Sequence, residues 1–544
     1  MALTSSPAAA DGFENEALGQ FSPGDVPGQI SLKGQAEIAD VDRQLAQQRG
    51  PIERTINAVS ELGVTPDQPI NETLPDAVSD LSNVRVVFPG DVTFRATDRM
   101  VLDPAGPIEL IGNGTTIQLE AGLKARVFNC PRLPSGTLIQ GFVADMTAQG
   151  TRTGVRVGTA GVVELRDITV RGYAPPVSSD VDDAVPAVLM PIARASGGTV
   201  RMTNFRATGG TAAGIHDDMG KPASAPENRL DGMIGLWVGQ ANLGTIQMVG
   251  CQLRGWSNGT YSGRTNGQVQ ILGGTYWNNF NCQARIGGGS LIDGATMLLD
   301  GRMWSMKKNP GPYSLGENQG INAVRIETGG NKGTQNEPVT LRNLDIRGIS
   351  METSSSLVNI EGSGPSTILE NCKVTNHMGV PAILAAAPGS QGGYSAAPIT
   401  NIMVDYCLFT GSTTEVAVVN ERPNSRIQRT CIQIPGAGPE SISGMQIGPA
   451  VSFGPQCSAG SGLANPKKVG SPGNISSLPA PSYNGSTGTF SRSTPSKKAV
   501  GAGAGGMFAA IFGGFVGGLG MLFIMIFVIP AALLFLSLWQ ILGD

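Results

Sequence analysis

The residues best suited to chemistry lie in one short acidic stretch. Asp217 and Asp218 follow His216 in the string GIHDDMG, and Glu227 and Asp231 come shortly after them. Paired carboxylates hydrolyse glycosidic bonds by acid–base catalysis, and carboxylate oxygens are ligands that Ca²⁺ prefers. Asp217, Asp218 and Glu227 are therefore the candidate catalytic residues, and Asp217 and Asp218 are the candidate Ca²⁺ ligands. A solvated turn is the alternative interpretation, because the stretch interrupts a repeat and surface loops are commonly polar.

A second group of residues has the types that bind sugars. Arg264 and Arg285 are 21 residues apart, close to the shortest repeat described below, so we expect them to stack on one face. Guanidinium groups hydrogen-bond to hydroxyls and carboxylates, and the negative faces of aromatic rings attract C–H groups. Turn stabilisation and core packing are the alternative roles for these residues. The predicted ligand-binding residues are Trp237, Trp256, Tyr261, Arg264, Asn266, Tyr276, Trp277, Asn279 and Arg285, with Asn278 beside them.

Composition excludes several other kinds of site. Lys+Arg number 38 against 42 Asp+Glu, so the chain lacks the basic field of a nucleic-acid-binding protein. Only His216 and His377 are histidines, and none of the seven cysteines forms a CxxC pair, which argues against a zinc site. No GxSxG, Walker A or Rossmann string stands in the required context. We therefore expect no cofactor other than Ca²⁺.

The elements that would position these residues repeat along the chain. The 76 Gly and 36 Pro in 544 residues are typical of many short strands joined by turns. Strings such as VELRDITV, TIQMVGCQL, VTLRNLDIR and TILENCKVT each run apolar, polar, apolar, then a turn and a small or apolar residue. Aligned at that residue, nine strings recur every 21 to 49 residues and place Cys251, Cys372, Cys407 and Cys431 in one buried column. Such stacked units predict an all-β fold, a right-handed parallel β-helix built as a single-stranded solenoid.

The chain divides into four predicted segments. Residues 1–54 are an N-terminal arm in which QAEIADVDRQLAQQR predicts a short helix, and a second short helix is predicted in PIERTINAVSELG at 51–63. The β-helix is predicted over 55–455. Residues 456–506 are rich in Ser, Gly and Pro and predict a flexible stalk. Residues 507–542 carry no charge and exceed the roughly 20 apolar residues that a span requires, so they predict a C-terminal transmembrane helix.

The predicted anchor determines the expected location and partners. The N-terminus has neither the basic start nor the apolar run of a secretory signal. Lys497 and Lys498 precede the apolar run, and the positive-inside rule then leaves the β-helix on the cytoplasmic side, whereas a surface role requires the opposite orientation. Glycines at small-xxx-small spacing in 507–520, or the N-terminal arm, are the expected contacts of a homo-oligomer. We therefore expect a membrane-anchored protein of a cell envelope or virion, on a face that the sequence leaves open.

Three long strings resemble stretches of a known group of proteins. INAVSELGVTPDQPINETLPDAVSD followed by VRVVFPGDVTF resembles the N-terminal entry of pectate-lyase-like right-handed parallel β-helix proteins. NGTYSGRTNGQVQILGGTYWNNFNCQARIGG and ERPNSRIQRTCIQIPGAG look like matching coils, so the resemblance covers about residues 55–445. It is strongest to an uncharacterised group common in haloarchaea, and it implies the fold more than an activity. The nearly balanced charge departs from the acidic composition of extreme halophiles, which a viral or mobile-element member would explain.

These observations predict one main function and leave two alternatives open. The main prediction is a membrane-anchored β-helix head that acts as a surface binding or structural protein, adhesin-like or virion spike-like, with a cell-surface or envelope polysaccharide as its ligand. The alternative is a polysaccharide lyase or glycoside hydrolase of the pectate-lyase-like class, which needs a stacked carboxylate pair that the sequence does not reveal. A second alternative is an internal structural membrane protein.

Overall fold

The strand pairing defines a parallel β-helix. The computed structural model describes residues 28–172, 174, 185–210, 233–279, 281–300, 321–328, 336–350, 354–389, 395–414 and 416–457. Their strands form one sheet of 25 strands and one of 11, and each strand pairs in parallel with its equivalent one coil earlier and one coil later. Only two α-helices are present in these ranges, α1 (Leu32–Arg49) and α2 (Ile70–Val78). The prediction of an all-β parallel solenoid is therefore confirmed. A right-handed coil stays the expectation, because crossovers between parallel strands are almost always right-handed.

A complete coil contributes one strand to each of three faces. Faces 1 and 2 together make the 25-stranded sheet, and face 3 is the 11-stranded sheet. Face 1 contains β1 (Arg54–Asn57), β2 (Val84–Val87), the first halves of β4 (Ile108–Leu119) and β6 (Leu138–Asp145), β8 (Val162–Arg166), β11 (Thr199–Thr203), β14 (Thr245–Val249), β17 (Gln268–Leu272), β20 (Leu291–Asp293), β23 (Val339–Arg342), β26 (Thr367–Glu370), β29 (Ile402–Asp405), β32 (Arg426–Gln428) and β35 (Gln446–Ile447).

The other two faces follow in the same coil order. Face 2 contains β3 (Thr93–Ala96), the second halves of β4 and β6, β9 (Thr169–Arg171), β12 (Arg206–Ala207), β15 (Gln252–Arg254), β18 (Thr275–Trp277), β21 (Thr296–Asp300), β24 (Asp345–Ser350), β27 (Lys373–Asn376), β30 (Leu408–Gly411), β33 (Cys431–Gln433) and β36 (Ser452–Phe453). Face 3 contains β5 (Lys124–Cys130), β7 (Arg152–Thr159), β10 (Ala187–Ala193), β13 (Ile234–Trp237), β16 (Asn258–Tyr261), β19 (Cys282–Ile286), β22 (Asn322–Ile326), β25 (Val358–Ile360), β28 (Ile383–Ala385), β31 (Val418–Asn420) and β34 (Ile442–Ser443).

Apolar columns form the core, because parallel register places equivalent residues of successive coils directly above one another. On face 1 one inward residue per coil follows the next in register, and every member of the column is fully buried. The column consists of Leu165, Met202, Met248, Ile271, Ile292, Leu341, Leu369, Val404 and Ile427. Each coil therefore buries its apolar face against its neighbours.

A left-handed residue turns the chain between face 1 and face 2 in nine coils. It has a positive φ in every case, and Gly, Asn and Asp supply most of these positions because their cost in this region is small. Asn371 Nδ2 donates to Asn343 Oδ1 at 2.7 Å, and Asn343 Nδ2 donates to Asp293 Oδ1 at 3.1 Å, so side chains also link the coils. The nine residues are Asp167, Asn204, Gly250, Gly273, Gly294, Asn343, Asn371, Tyr406 and Arg429.

The predicted cysteine column is correct for three of its four members. Cys251, Cys372 and Cys407 directly follow the left-handed residue and are fully buried. In the next coil Thr430 takes that position, since Cys407 N donates to Thr430 Oγ1 at 3.3 Å. Cys431 is also buried, but it pairs in register with Leu408. The alignment by sequence selected the apolar residue, whereas Thr430 satisfies its hydroxyl locally by donating to the Gln428 carbonyl at 2.7 Å.

A disulfide joins the last two described coils. Cys431 on β33 pairs with Cys457, and their Cα atoms are 5.7 Å apart. The other five cysteines are free and buried: Cys130, Cys251, Cys282, Cys372 and Cys407. The bond therefore ties the segment after β36 to the body of the β-helix.

The N-terminal helix α1 lies along face 1. Its N-cap residue Ser31 donates its backbone N–H to Asp293 Oδ1 on β20 at 3.2 Å. At its other end Arg49 Nε donates to the Gly136 carbonyl, just before β6, at 3.0 Å. Eighteen residues span about 27 Å, which matches about 24 Å for the five coil steps from β6 to β20. The helix therefore runs parallel to the solenoid axis and covers face 1.

The second helix and the membrane anchor are the two remaining predictions about secondary structure. Residues 51–63, predicted as a second helix, contain β1 and turns instead, and α2 begins at Ile70. Ile70, Leu74 and Val78 of α2 are buried against the first coils, so the helix closes the N-terminal end of the core. Within the described ranges no helix is both long and apolar enough to cross a membrane. The predicted anchor at 507–542 and nearly all of the predicted stalk lie outside those ranges.

We predict that Cys457→Ser destabilises the C-terminal coils. The Cys431–Cys457 bond closes a loop with a sequence separation of 26 residues, and the chain-entropy account of disulfides gives a loss of about 3 kcal/mol for a loop of this size. Denaturant titration measures the loss, and a reductant should reproduce it in the wild type without affecting the variant. Unfolded, unreduced protein should carry five reactive thiols, and seven would contradict the pairing.

Candidate functional site

The predicted acidic site lies outside the described residues. Asp217, Asp218 and Glu227, with His216 and Asp231, all fall in residues 211–232. In the ranges that the structure does describe, no group of three His, Cys, Asp or Glu residues is arranged to hold a metal ion. The proposed Ca²⁺ site and catalytic carboxylates therefore stay predictions.

Several of the predicted ligand-binding residues belong to the interior. Trp256 is fully buried, and its Nε1 donates to the Ala207 carbonyl at 2.8 Å. Asn279 accepts the Trp256 backbone N–H at 3.0 Å, which fixes the turn that precedes β16. Both residues have their polar atoms occupied within the protein. Also buried are Tyr276, Trp277 and Asn278.

Three of the predicted residues form one outward row on face 3. Trp237 pairs in register with Tyr261, Tyr261 with Arg285, and Arg285 with Arg325. Neighbouring members are separated by one coil, about 4.8 Å. Trp237 is 36% exposed, and the Arg285 guanidinium lies 4.4 Å from the centre of the Tyr261 ring. We call these four residues the aromatic–arginine column.

Two glutamates hold the arginines of the column in place. Arg285 Nε and Nη2 donate to the two carboxylate oxygens of Glu327 at 2.8 and 2.7 Å. Arg325 Nη2 lies 2.7 Å from Glu361 Oε1, and Asn359 Nδ2 donates to the same oxygen at 3.0 Å. Burial alone would lower the pKa of Arg285, but the Glu327 carboxylate raises it above its ordinary value. The pairs fix both guanidinium groups on face 3.

A glycine makes room for this arrangement. A side chain at Gly263 would come within 2.6 Å of the Glu327 Cγ. Gly263 stands two residues after Tyr261, so the space it leaves lies next to the column. Glu327 therefore reaches Arg285 across a position that needs to lack a side chain.

The sequence contains a signal for the glutamates that was missed. Val324-Arg325-Ile326-Glu327 and Val358-Asn359-Ile360-Glu361 share the pattern V-x-I-E at the end of consecutive face 3 strands. Ile326 and Ile360 are in register, so Glu327 and Glu361 follow side by side. A stacked carboxylate pair was expected of an enzyme and not found by sequence, because the two strings are 34 residues apart.

The remaining two predicted residues lie in the turn after β16. Asn266 Nδ2 donates to the Gln240 carbonyl at 2.6 Å, which links neighbouring coils. Arg264 is half-buried and has an interaction partner of its own. Neither residue belongs to the aromatic–arginine column. The expected stacking of Arg264 on Arg285 is therefore wrong, because Arg285 pairs in register with Tyr261.

A second set of charged residues follows the edge of face 1. Asp293, Arg342, Glu370 and Asp405 occupy one row in register, and Arg429 pairs with Asp405. Burial raises the pKa of Glu370 against the opposing effect of Arg342, and Asp405 raises it further. The row therefore holds two adjacent carboxylates, of which Asp405 pairs with Arg429 and Glu370 with Arg342. Glu370 also binds its proton more tightly than usual.

Comparison with known proteins gives no family and no activity for this chain. No family model matches the sequence, and no curated protein matches it. Among solved structures, the crystal structure of endo-xylogalacturonan hydrolase from Aspergillus tubingensis aligns with 74% of this chain and 96% of that chain, at 11% identity and a TM-score of 0.28. At that TM-score no conclusion on activity follows from the likeness, so the description of the fold depends on the strand pairing alone.

We predict that Arg285→Met destabilises the protein by about 3 kcal/mol, because it leaves the buried Glu327 carboxylate without its bidentate partner. The double variant Arg285→Met/Glu327→Leu should recover to within roughly 1 kcal/mol of the wild type, since an apolar pair replaces the ion pair at little cost. Thermal and denaturant unfolding measure both effects. Equal losses in the single and double variants would show that the pair is not coupled as described.

Proposed function

We propose that face 3 binds a carbohydrate along the aromatic–arginine column. The observation that carries the proposal is the row of Trp237, Tyr261 and Arg285 at one-coil spacing, with Trp237 open to solvent. Aromatic faces pack on the C–H groups of a sugar ring, and a fixed guanidinium hydrogen-bonds to hydroxyl or carboxylate oxygens. A row that repeats every 4.8 Å or so offers similar groups to successive parts of a chain-like ligand.

The charge pairing at this site favours binding over acid–base catalysis. Glu327 accepts two hydrogen bonds from Arg285, and Glu361 accepts from Arg325 and Asn359. A carboxylate whose oxygens already accept charge-assisted bonds is a poor proton donor to a leaving group. Rigid side chains lose little entropy when a ligand binds, so this fixed arrangement suits recognition.

The enzymatic alternative depends on the charged row at the edge of face 1. Glu370 and Asp405 are paired in register on adjacent strands, and about 4.8 Å between strands is near the separation of carboxyl groups in retaining glycosidases. The raised pKa of Glu370, caused by burial, would suit a general acid. Glu370 also pairs with Arg342, which gives the row a structural role as well.

We predict that Trp237→Ala and Tyr261→Ala each weaken glycan binding about fivefold, because each removes a ring worth roughly 1 kcal/mol of contact. The melting temperature of the Trp237 variant should stay unchanged, since that side chain is partly exposed. Binding of labelled full-length protein to an array of envelope and plant glycans is the measurement. The matched control is Ile447→Ala, an apolar residue 46% exposed at the other end of the solenoid.

Two results would contradict this proposal. Equal binding by Trp237→Ala, Tyr261→Ala and the Ile447→Ala control would remove face 3 from consideration. Release of reducing ends or unsaturated sugars from an array glycan would favour the enzymatic alternative, and loss of that release in Glu370→Gln would assign it to the row on face 1.

We further propose that residues 507–542 anchor this head to a membrane, with the β-helix outside the reducing cytoplasm. The Cys431–Cys457 bond supports that orientation, because structural disulfides persist mainly in oxidising compartments. Lys497 and Lys498 before the apolar run favour the opposite orientation under the positive-inside rule. Long domains can be translocated regardless of such charges, so the disulfide carries more weight.

Protease treatment of intact cells or particles tests the orientation. We expect the β-helix to be cleaved from the outside, and protein alkylated before isolation should contain Cys431 and Cys457 in oxidised form. Protection of the head until the membrane is opened, together with reduced Cys431 and Cys457, would instead support the internal structural role.

A further inference from the structure

Four arginines lie together at the N-terminal end of face 3. Arg126 is on β5 and Arg156 on β7, and both point outward between buried neighbours. Arg126 Nη2 lies 3.4 Å from the sulfur of Met190, the residue paired in register with Arg156. Arg194 reaches back along the same face, and its Nε donates to the Pro131 carbonyl at 2.9 Å. Arg99 is the fourth member of this arginine cluster, and its neighbour Met100 donates its backbone N–H to the Arg126 carbonyl at 3.2 Å.

The positive charges in the cluster act on one another. Burial lowers the pKa of Arg126, and Arg156 and Arg99 lower it further. Burial also lowers the pKa of Arg156, and Arg194 adds to that effect. The guanidinium groups are therefore near enough to repel one another.

Within the described part of the chain, no carboxylate forms an ion pair with any of the four. The Nε atoms of Arg126 and Arg156 are both buried without a hydrogen-bond partner. Elsewhere on the coils outward arginines have carboxylate partners of their own, as Arg171 has Asp145 and Arg347 has Asp345. Four arginines that share a surface therefore require more negative charge than one carboxylate supplies.

We propose that the arginine cluster is a binding site for a multiply charged oxyanion, a phosphate or sulfate group. Tetrahedral oxyanions present several acceptor oxygens, and guanidinium forks bind them through paired N–H groups. Arg156 is in register with Met190, and the neighbouring Leu189 pairs with Leu236, which precedes Trp237. Arg156 therefore stands in the row of the aromatic–arginine column, two coils before Trp237. If face 3 binds a glycan, as proposed above, the cluster would select chains that carry such esters.

The test uses inorganic phosphate and sulfate with the full-length protein, so it does not depend on the glycan. Either anion should raise the melting temperature, and sodium chloride at equal ionic strength should not. Arg156→Gln should melt at a higher temperature than the wild type in anion-free, low-salt buffer, because it removes repulsion, and its Kd for phosphate should be at least about tenfold weaker. Arg126→Gln provides the same test if the first variant does not fold.

The matched control is Arg95→Gln, which removes an exposed arginine that pairs with Glu120 on face 2. Its Kd for phosphate should equal that of the wild type. Equal stabilisation by chloride and phosphate, or an unchanged Kd in both cluster variants, would overturn the proposal. A cluster that binds phosphate while Trp237→Ala binds every glycan normally would uphold this site and reject the glycan proposal, so the two failures are distinguishable.

Discussion

Parallel coil-to-coil hydrogen bonding is the constraint on which the other features of this protein depend. Each residue of a strand is held in register with its equivalents about 4.8 Å away in the coils before and after it. The same position therefore recurs as a row along each face. Inward rows become apolar columns, and outward rows become strips of similar chemistry.

Register also explains which parts of the fold were predictable. The left-handed turn residue and the buried residue after it recur in short strings, so the solenoid and Cys251, Cys372 and Cys407 followed from the sequence. The alignment failed by one residue at Cys431, because apolarity was used to find a position that Thr430 occupies. The backbone conformation of the turn determines which residue enters the buried position. That residue is usually apolar, but Thr430 shows that it need not be.

The candidate site was predictable only in part, since its members are joined by register across long stretches of sequence. Trp237, Tyr261 and Arg285 were selected for their types, but types alone did not separate them from Trp256, which bonds to Ala207 in the core. Glu327 and Glu361 were missed because they are 34 residues apart in the sequence, and only the register of the strands shows that they are adjacent. The position of α1 was not predictable either, because few of its side chains are buried and its main contacts are polar.

The three faces differ in what covers them, and this difference is the reason for placing the proposed ligand surface on face 3. On face 1 the α1 helix lies over the outward row, and Arg201, paired there with Glu164, has only 2% of its side chain exposed. On face 2 the Arg254 guanidinium lies 6.0 Å from the ring centre of Trp277, and that tryptophan is buried. Face 3 is where an aromatic ring of an outward row, that of Trp237, stays open to solvent. Because register aligns that ring with Tyr261, Arg285 and Arg156, a ligand held at Trp237 would extend along the solenoid axis and not across it.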